Sequence, residues 1–375
     1  MRKTKCYSWC LKQLPEGCKY CVEGRKTVLF ITGICSKHCF YCPISDQKWQ
    51  KDVIYANEWK VENFNQVCEE IDLCSSRGAG ITGGDPLARL SRTCLYIRKL
   101  KKKFGRDFHI HLYTPLDLVD LKKLRKLHTA GLDEIRFNPD IGCGKEKLWE
   151  KISMALRFNW DIGVEIPSIP GFFNQTKQLI DYIHDKIHFL NINELEISDT
   201  NCNELIRRGF VPKDNISYGV KGSEEMALKL VSYVEKKRYD LKVHYCTTTL
   251  KDRVQLRNRI KLRAKNCATE FDKVTADGTL KRTVVYLDDL KPGFGYDKKI
   301  AGLSDAIKRK YVARLIKLND NFDGILDFGR MRIIISSKMI QMAKKTEGVS
   351  VARIEEYPTQ DSMLVSLEFV KKQEK

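Results

Sequence analysis

Short apolar runs alternate with longer amphipathic stretches along much of this chain. The runs are TVLFITG (27–33), AGITGG (79–84), FHIHLYT (108–114), DEIRFNP (133–139), GVEIPSIPG (163–171) and INELEIS (192–198). Between them lie VENFNQVCEEIDLCSSRG, LSRTCLYIRKLKKKFG and LVDLKKLRKLHTAG, where apolar positions return every three or four residues and the pattern stops at glycine. That spacing predicts helices with one buried face, ended by a glycine that accepts the left-handed conformation. Strands separated by helices predict right-handed βαβ units in a parallel sheet. Six such units predict an α/β fold, a partial (β/α)6 barrel whose working residues sit at the carboxyl ends of the strands. The run VHYCTTT adds a seventh strand-like segment that ends near Cys246.

The pattern changes near residue 250. LKDRVQLRNRIKLRAK reads as one basic amphipathic helix, with Arg253, Arg257 and Lys261 at four-residue spacing on a shared face. Beyond it come KRTVVYLDDL, the turn-rich KPGFGYDKK, a helix near 304–318, the strand MRIIIS, then VSVARIEEYP and DSMLVSLEFV. This is an α+β arrangement. The expected organisation is a cysteine-rich metal-binding extension at 1–25, the barrel at 26–250, and the basic helix with an α+β accessory domain at 251–375.

Composition sharpens this picture in three places. The chain has 375 residues, enough for two domains and a large core. It has 14 cysteines, yet MRKTKCYSWC lacks the apolar centre of a secretory signal and no window is apolar enough to span a bilayer. A cytoplasmic location is therefore expected, with no membrane association, and its cysteines should serve metals rather than disulfides. The formal net charge of +19 suits either a polyanionic partner such as RNA or a lysine-rich solvated surface.

The densest chemistry is in GICSKHCFYCPIS, directly after the first strand. Cys35, Cys39 and Cys42 are soft thiolate donors that leave one metal coordination position open. A zinc site completed by His38 or another residue is the alternative. With the aromatic Tyr41 before the third cysteine, this loop resembles the signature loop of the radical S-adenosylmethionine (radical SAM) superfamily. The resemblance implies a [4Fe–4S] cluster held by Cys35, Cys39 and Cys42, with its fourth iron chelated by the amino and carboxylate groups of S-adenosylmethionine. It also implies reductive cleavage to a 5′-deoxyadenosyl radical that abstracts hydrogen from a substrate, fed by an electron donor such as ferredoxin or flavodoxin. In ITGGDP, the residues Gly83, Gly84 and Asp85 match the family's Gly-Gly-Glu type motif, which receives the methionine amino group; here aspartate stands for the commoner glutamate. Other strand ends offer Arg136 for the methionine carboxylate, Asn138 for the ribose, and Glu165, an acid in an apolar run; a structural salt bridge between Arg136 and Glu165 is the competing reading. His109 and His111, two apart in a strand, face one side.

Cys6 and Cys10 with Cys18 and Cys21 give two ligand pairs, suited to a closed zinc site or an auxiliary [4Fe–4S] cluster. Cys246 is an alternative companion for Cys18 and Cys21. Cys68, Cys74, Cys94, Cys143, Cys202 and Cys267 read as core or incidental residues. Longer stretches, among them GCKYCVEGRKTVLFITGICSKHCFYCP and KDRVQLRNR, resemble an archaeal-type group described as related to pyruvate formate-lyase activating enzyme. The leading functional expectation is a radical SAM enzyme that modifies a large anionic substrate such as RNA. The alternatives are a glycyl-radical-enzyme activase or other protein-modifying enzyme, and a non-catalytic zinc- and RNA-binding protein.

Overall fold

The computed structural model describes residues 1–141 and 146–371, so Cys143 lies outside the described residues. The chain forms two compact units, Met1–Arg259 and Ile260–Lys375.

In the first unit, β1 (Trp9–Leu11) and the short helix α1 (Glu16–Val22) precede seven strands: β2 (Lys26–Phe30), β3 (Gly78–Thr82), β4 (His109–Thr114), β5 (Glu134–Phe137), β6 (Asp161–Ser168), β7 (Phe189–Glu194) and β8 (Lys242–Cys246). All seven are parallel and lie side by side in chain order. Helices α2 (Phe64–Leu73), α3 (Leu90–Phe104), α4 (Leu121–Ala130), α5 (Phe173–Ile183) and α6 (Ser223–Lys237) are among the crossovers. Their ends follow local chemistry: Asn63 and Gln66 close a capping box on α2, Asp120 caps α4, and Gly131 ends α4 at φ 102°. The array has two antiparallel borders, β1 on β8 and the strand Tyr55–Ala56 on β2.

Alternation along the strands separates two faces. Ile110, Leu112, Ile135, Phe137, Val164, Ile166, Leu190, Ile192 and Val243 join the buried apolar cluster with the helices. The intervening residues include His111, Tyr113, Arg136, Glu165, Asn191 and His244, so the other face is polar. Helix α1 occupies that polar face. It touches β2, β3 and β4, its Gly17 packs on Arg136 of β5, and its Cys18 meets Asn191 of β7. Seven residues of helix are about 10 Å long, whereas β2 and β7 would stand about 24 Å apart in a flat sheet. The sheet therefore curls around α1 as an open, partial barrel. The N-terminal segment, too short for a core of its own, folds as the filling of this one.

Gly17 is required there. A Cβ at this position would stand 2.6 Å from both Arg136 Nη2 and His111 Nδ1. Gly17→Ala is expected to lower the melting temperature of the chain by several degrees, as overpacking costs about 1–3 kcal/mol. Thermal unfolding followed by circular dichroism checks it.

The second unit is an antiparallel sheet. Its order is the strand Ile325–Asp327, then Arg332–Ile335, Leu280–Leu287, Val349–Glu356 and Leu364–Phe369. Helix Asp305–Asn319 contributes Leu315 to its core. The segment LKDRVQLRNRIKLRAK is not one regular helix. Thr248–Leu250 is an α-helical turn, Lys251–Leu256 is π-helical, and only Arg257–Cys267 continues as α-helix. The wider π turn takes Arg253 out of the four-residue register with Arg257 and Lys261. Lys251 pairs with Glu196 at 2.5 Å, and the buried Arg263 donates to the Pro358 carbonyl. The expected continuous basic stripe is thus broken by backbone geometry. Among the described residues no helix is long and apolar enough to cross a membrane.

Candidate active site

The cysteine loop leaves the carboxyl end of β2 and is closed on itself. Gly33 N–H donates to the Lys51 carbonyl (2.8 Å), and Gln50 N–H returns to the Gly33 carbonyl (3.0 Å). The Gln50 side chain donates to the Cys35 carbonyl (2.6 Å), and Cys42 N–H to the Cys39 carbonyl (3.0 Å). The end of β3 packs directly on this loop. Gly84 N–H donates to the Thr32 carbonyl and Asp85 N–H to the Ile34 carbonyl, both at 2.8 Å. A Cβ at Gly84 would stand 2.5 Å from the Ile34 carbonyl oxygen and 2.7 Å from that of Gly33. The glycine is needed because two backbones touch. Gly84→Ala must push away the segment that carries Cys35, so bound iron is expected to fall severalfold while the circular dichroism of the fold persists.

Loop and strand ends enclose a cavity of about 330 Å³. The loop supplies Cys35, Lys37, Cys39, Tyr41, Cys42 and Trp49; the strand ends supply Gly83, Gly84, Tyr113, Thr114, Asn138, Glu165 and Asn193. Burial raises the Cys39 thiol to about 11 and moves Cys35 and Cys42 in the same direction. The three are neutral thiols in the metal-free chain, and metal binding must release their protons. Among the described residues, no three His, Cys, Asp or Glu side chains are already grouped as a single-ion site. Three thiols spread along one wall of a shared cavity fit a cluster better, because each binds a different iron.

The opposite wall is polar and tightly organised. Glu165 accepts from Arg136 Nη1 (2.8 Å), Asn191 Nδ2 (2.9 Å) and Asn193 Nδ2 (3.0 Å). Burial pushes its carboxyl up, but the guanidinium and the two amides outweigh that and hold it at about 2. Arg136, 2 % exposed, also pairs with the buried Glu134 and does not line the cavity. Asn138 donates to the Glu165 carbonyl (2.8 Å) and accepts from Tyr41 Oη (3.4 Å), tying the cysteine loop to the strand ends. Asp85 is fully buried. Its Oδ1 accepts from Leu87 N–H (2.9 Å) and Thr114 Oγ1 (2.8 Å), while Oδ2 has no partner among the described residues. Burial raises its pKa.

Of the residues singled out in the sequence, Cys35, Cys39, Cys42, Tyr41, Gly83, Gly84, Asn138 and Glu165 line one cavity, and Asp85 and Arg136 stand behind its wall. His38 packs edge-on against Trp49. Cys6 lies in the turn before β1, Cys10 in β1, and Cys18 and Cys21 on α1. All described cysteines are free thiols. Lys37, Thr114 and Asn193 were not legible beforehand. Lys37 is held by Asp117 (2.9 Å) and Asp140 from loops distant in sequence. Asn193 carried a usable signal, since it is a polar residue on the inward phase of its strand.

Residues 29–143 match the family model of the radical SAM superfamily. A Methanocaldococcus jannaschii protein, provisionally named as a glycyl-radical enzyme activating enzyme, is 45% identical over 284 residues, covering 74% of this chain and 75% of that one. The chain belongs to the radical SAM superfamily. Radical SAM enzymes use a [4Fe–4S] cluster and S-adenosylmethionine, and this chain is one of them. Among solved structures, SuiB of Streptococcus suis bound to S-adenosylmethionine aligns with a TM-score of 0.42 at 9% identity, over 60% of this chain and 50% of that one. Methylornithine synthase aligns with a TM-score of 0.39 at 11% identity, over 64% of this chain and 80% of that one.

Proposed function

We propose that this radical SAM enzyme acts on a protein, as an activating enzyme that removes a hydrogen atom from a glycine of a partner chain. A cluster held by Cys35, Cys39 and Cys42 supplies, when bound, the electron that splits S-adenosylmethionine into methionine and a 5′-deoxyadenosyl radical. The strand ends orient the nucleoside: Asn138, Asn193 and Thr114 present amide and hydroxyl groups to the cavity. Asp85, whose Oδ2 has no partner among the described residues, stands behind Gly84 and sets a carboxylate beside the wall that the methionine ammonium would meet. Asp85→Asn keeps the cap on Leu87 and removes the charge. Charge-assisted hydrogen bonds are worth about 1.5–3 kcal/mol, so S-adenosylmethionine affinity should fall by roughly 10- to 100-fold in equilibrium dialysis. Unchanged affinity would reduce Asp85 to a helix cap.

The observation that favours a protein substrate lies beside the cavity mouth. Asn201 donates to the Tyr41 carbonyl (3.2 Å), and Phe210 stacks on Phe40 of the cysteine loop (6.3 Å). The segment so anchored exposes Ile206, Val211, Tyr218 and Ile216, the last 87 % exposed. Its cations Arg207 and Arg208 are both paired with Glu204. An apolar surface whose two arginines are held by an internal carboxylate suits a protein better than a phosphate backbone. The name of the M. jannaschii relative points the same way.

The test follows a label. Macromolecules from cells grown on α-deuterated glycine are incubated anaerobically with enzyme, S-adenosylmethionine and reduced ferredoxin or flavodoxin. Deuterium should appear in 5′-deoxyadenosine, survive nuclease treatment of the substrate fraction and disappear after protease treatment. The opposite sensitivity would replace the protein with RNA.

A further inference from the structure

We propose that Cys18, Cys21 and Cys246 form a second, thiolate-bound metal centre inside the barrel, with His244 as its nitrogen donor. The four cysteines of the N-terminal segment are the obvious set by spacing; in the fold Cys10 stands beside His244 in the β1–β8 ladder, while Cys6 lies apart from it in a turn. Cys6 is half-exposed in the turn before β1, and Cys10 accepts an N–H from Arg2 Nε at 3.3 Å. Cys18 and Cys21, three apart on α1, share one face of that helix.

That face looks onto the last parallel strands. Cys18 Sγ accepts from Asn191 Nδ2 at 3.3 Å. In the parallel ladder Asn191 stands beside His244, and Asn193 beside Cys246. Alternation puts all four on the polar face where α1 lies. Helix α1 also touches the π-helical turn after β8, whose Gln255 amide approaches Cys246 Sγ at 3.9 Å. Burial raises the Cys246 thiol, and both Cys18 and Cys21 are near enough to add to that rise.

Two further observations point to a ligand. His244 is 1 % exposed, yet neither ring nitrogen has a partner among the described residues. A buried imidazole without hydrogen bonds is costly, and the neutral ring is the form that binds metals. Lys26, at the start of β2, reaches Tyr113 Oη at 3.5 Å and makes no ion pair with a carboxylate among the described residues. Cys21 and Cys18 are among the groups near enough to influence it. A partly buried ammonium beside thiols is what a negatively charged thiolate–metal centre calls for. Three cysteines and a histidine suit zinc or an iron–sulfur cluster alike. Like the signature-loop thiols, these donors are not yet grouped around one point, so binding must draw them in and release three thiol protons.

The experiment uses the full chain with Cys35, Cys39 and Cys42 all replaced by alanine, so that only a second centre is counted. After anaerobic purification it should retain metal, either zinc or iron with matching sulfide. Adding Cys246→Ser, Cys18→Ser or Cys21→Ser should remove that metal, whereas Cys6→Ser should not. In parallel, the metal-stripped triple variant is titrated with cobalt(II), whose thiolate charge-transfer band reports ligation in any variant that circular dichroism shows folded. His244→Ala should shift the visible cobalt bands. A triple variant that holds neither native metal nor cobalt overturns the proposal. So does metal that survives Cys246→Ser but is lost with Cys6→Ser or Cys10→Ser.

Discussion

The variant with Cys35, Cys39 and Cys42 all changed to alanine will show no reductive cleavage of S-adenosylmethionine, measured as 5′-deoxyadenosine formed under dithionite. Cleavage needs an electron delivered to the bound sulfonium from a cluster that the protein holds in contact with it, and this loop supplies the only three thiols that line the described cavity. The loop is closed by its own hydrogen bonds through Gly33, Gln50 and Cys35. The variant should therefore stay folded, and its circular dichroism should match the parent. Single replacements will act nearly as strongly, because two thiolates leave an iron unprotected. Cleavage that persists in the triple variant would remove the cluster from this loop.

The second large effect is expected at Glu165. Glu165→Ala strips the buried Arg136 of one of its two carboxylates and removes the carboxylate acceptor of the Asn191 and Asn193 amides. Breaking a buried pair from one side costs about 3–5 kcal/mol, which in a unit of this size lowers the melting temperature by roughly 6–20 °C. The direction with pH follows from the same contacts. The folded carboxyl is held at about 2, below its ordinary 4.5. Its contribution is therefore full above about pH 4.5 and is lost as the pH falls towards 2. The stability gap between the parent and Glu165→Gln should narrow over that window. A gap that is constant with pH would mean that shape, not charge, is what matters at this position.

Much of the architecture was legible beforehand because each strand carries its own record of two environments. In FHIHLYT, Ile110 and Leu112 pack outward under helices while His111 and Tyr113 point inward, and a period of two exposes that division. The cysteine trio was legible because a tight loop needs its ligands close in sequence. Gly84 was visible as a glycine, but its reason was not. The contact it permits is with Ile34 and Gly33, some fifty positions earlier in the chain, and no local pattern encodes that.

Other features depended on which distant groups come together. Arg136 and Glu165 had two readings from sequence, ligand arms or a salt bridge; the 2.8 Å contact joins them to each other, while leaving Glu165 on the cavity wall. The basic stretch after residue 250 looked uniform because charge is written residue by residue, whereas the π turn at 251–256 leaves no mark in that pattern. Only the tertiary structure placed α1 inside the curled sheet. Its tertiary contacts are made by at least five strands spread over some 170 positions. Local interactions repeat and so leave a periodic trace in the sequence. A contact across the whole chain occurs once, and its two halves carry no mark of each other until the backbone has closed the distance.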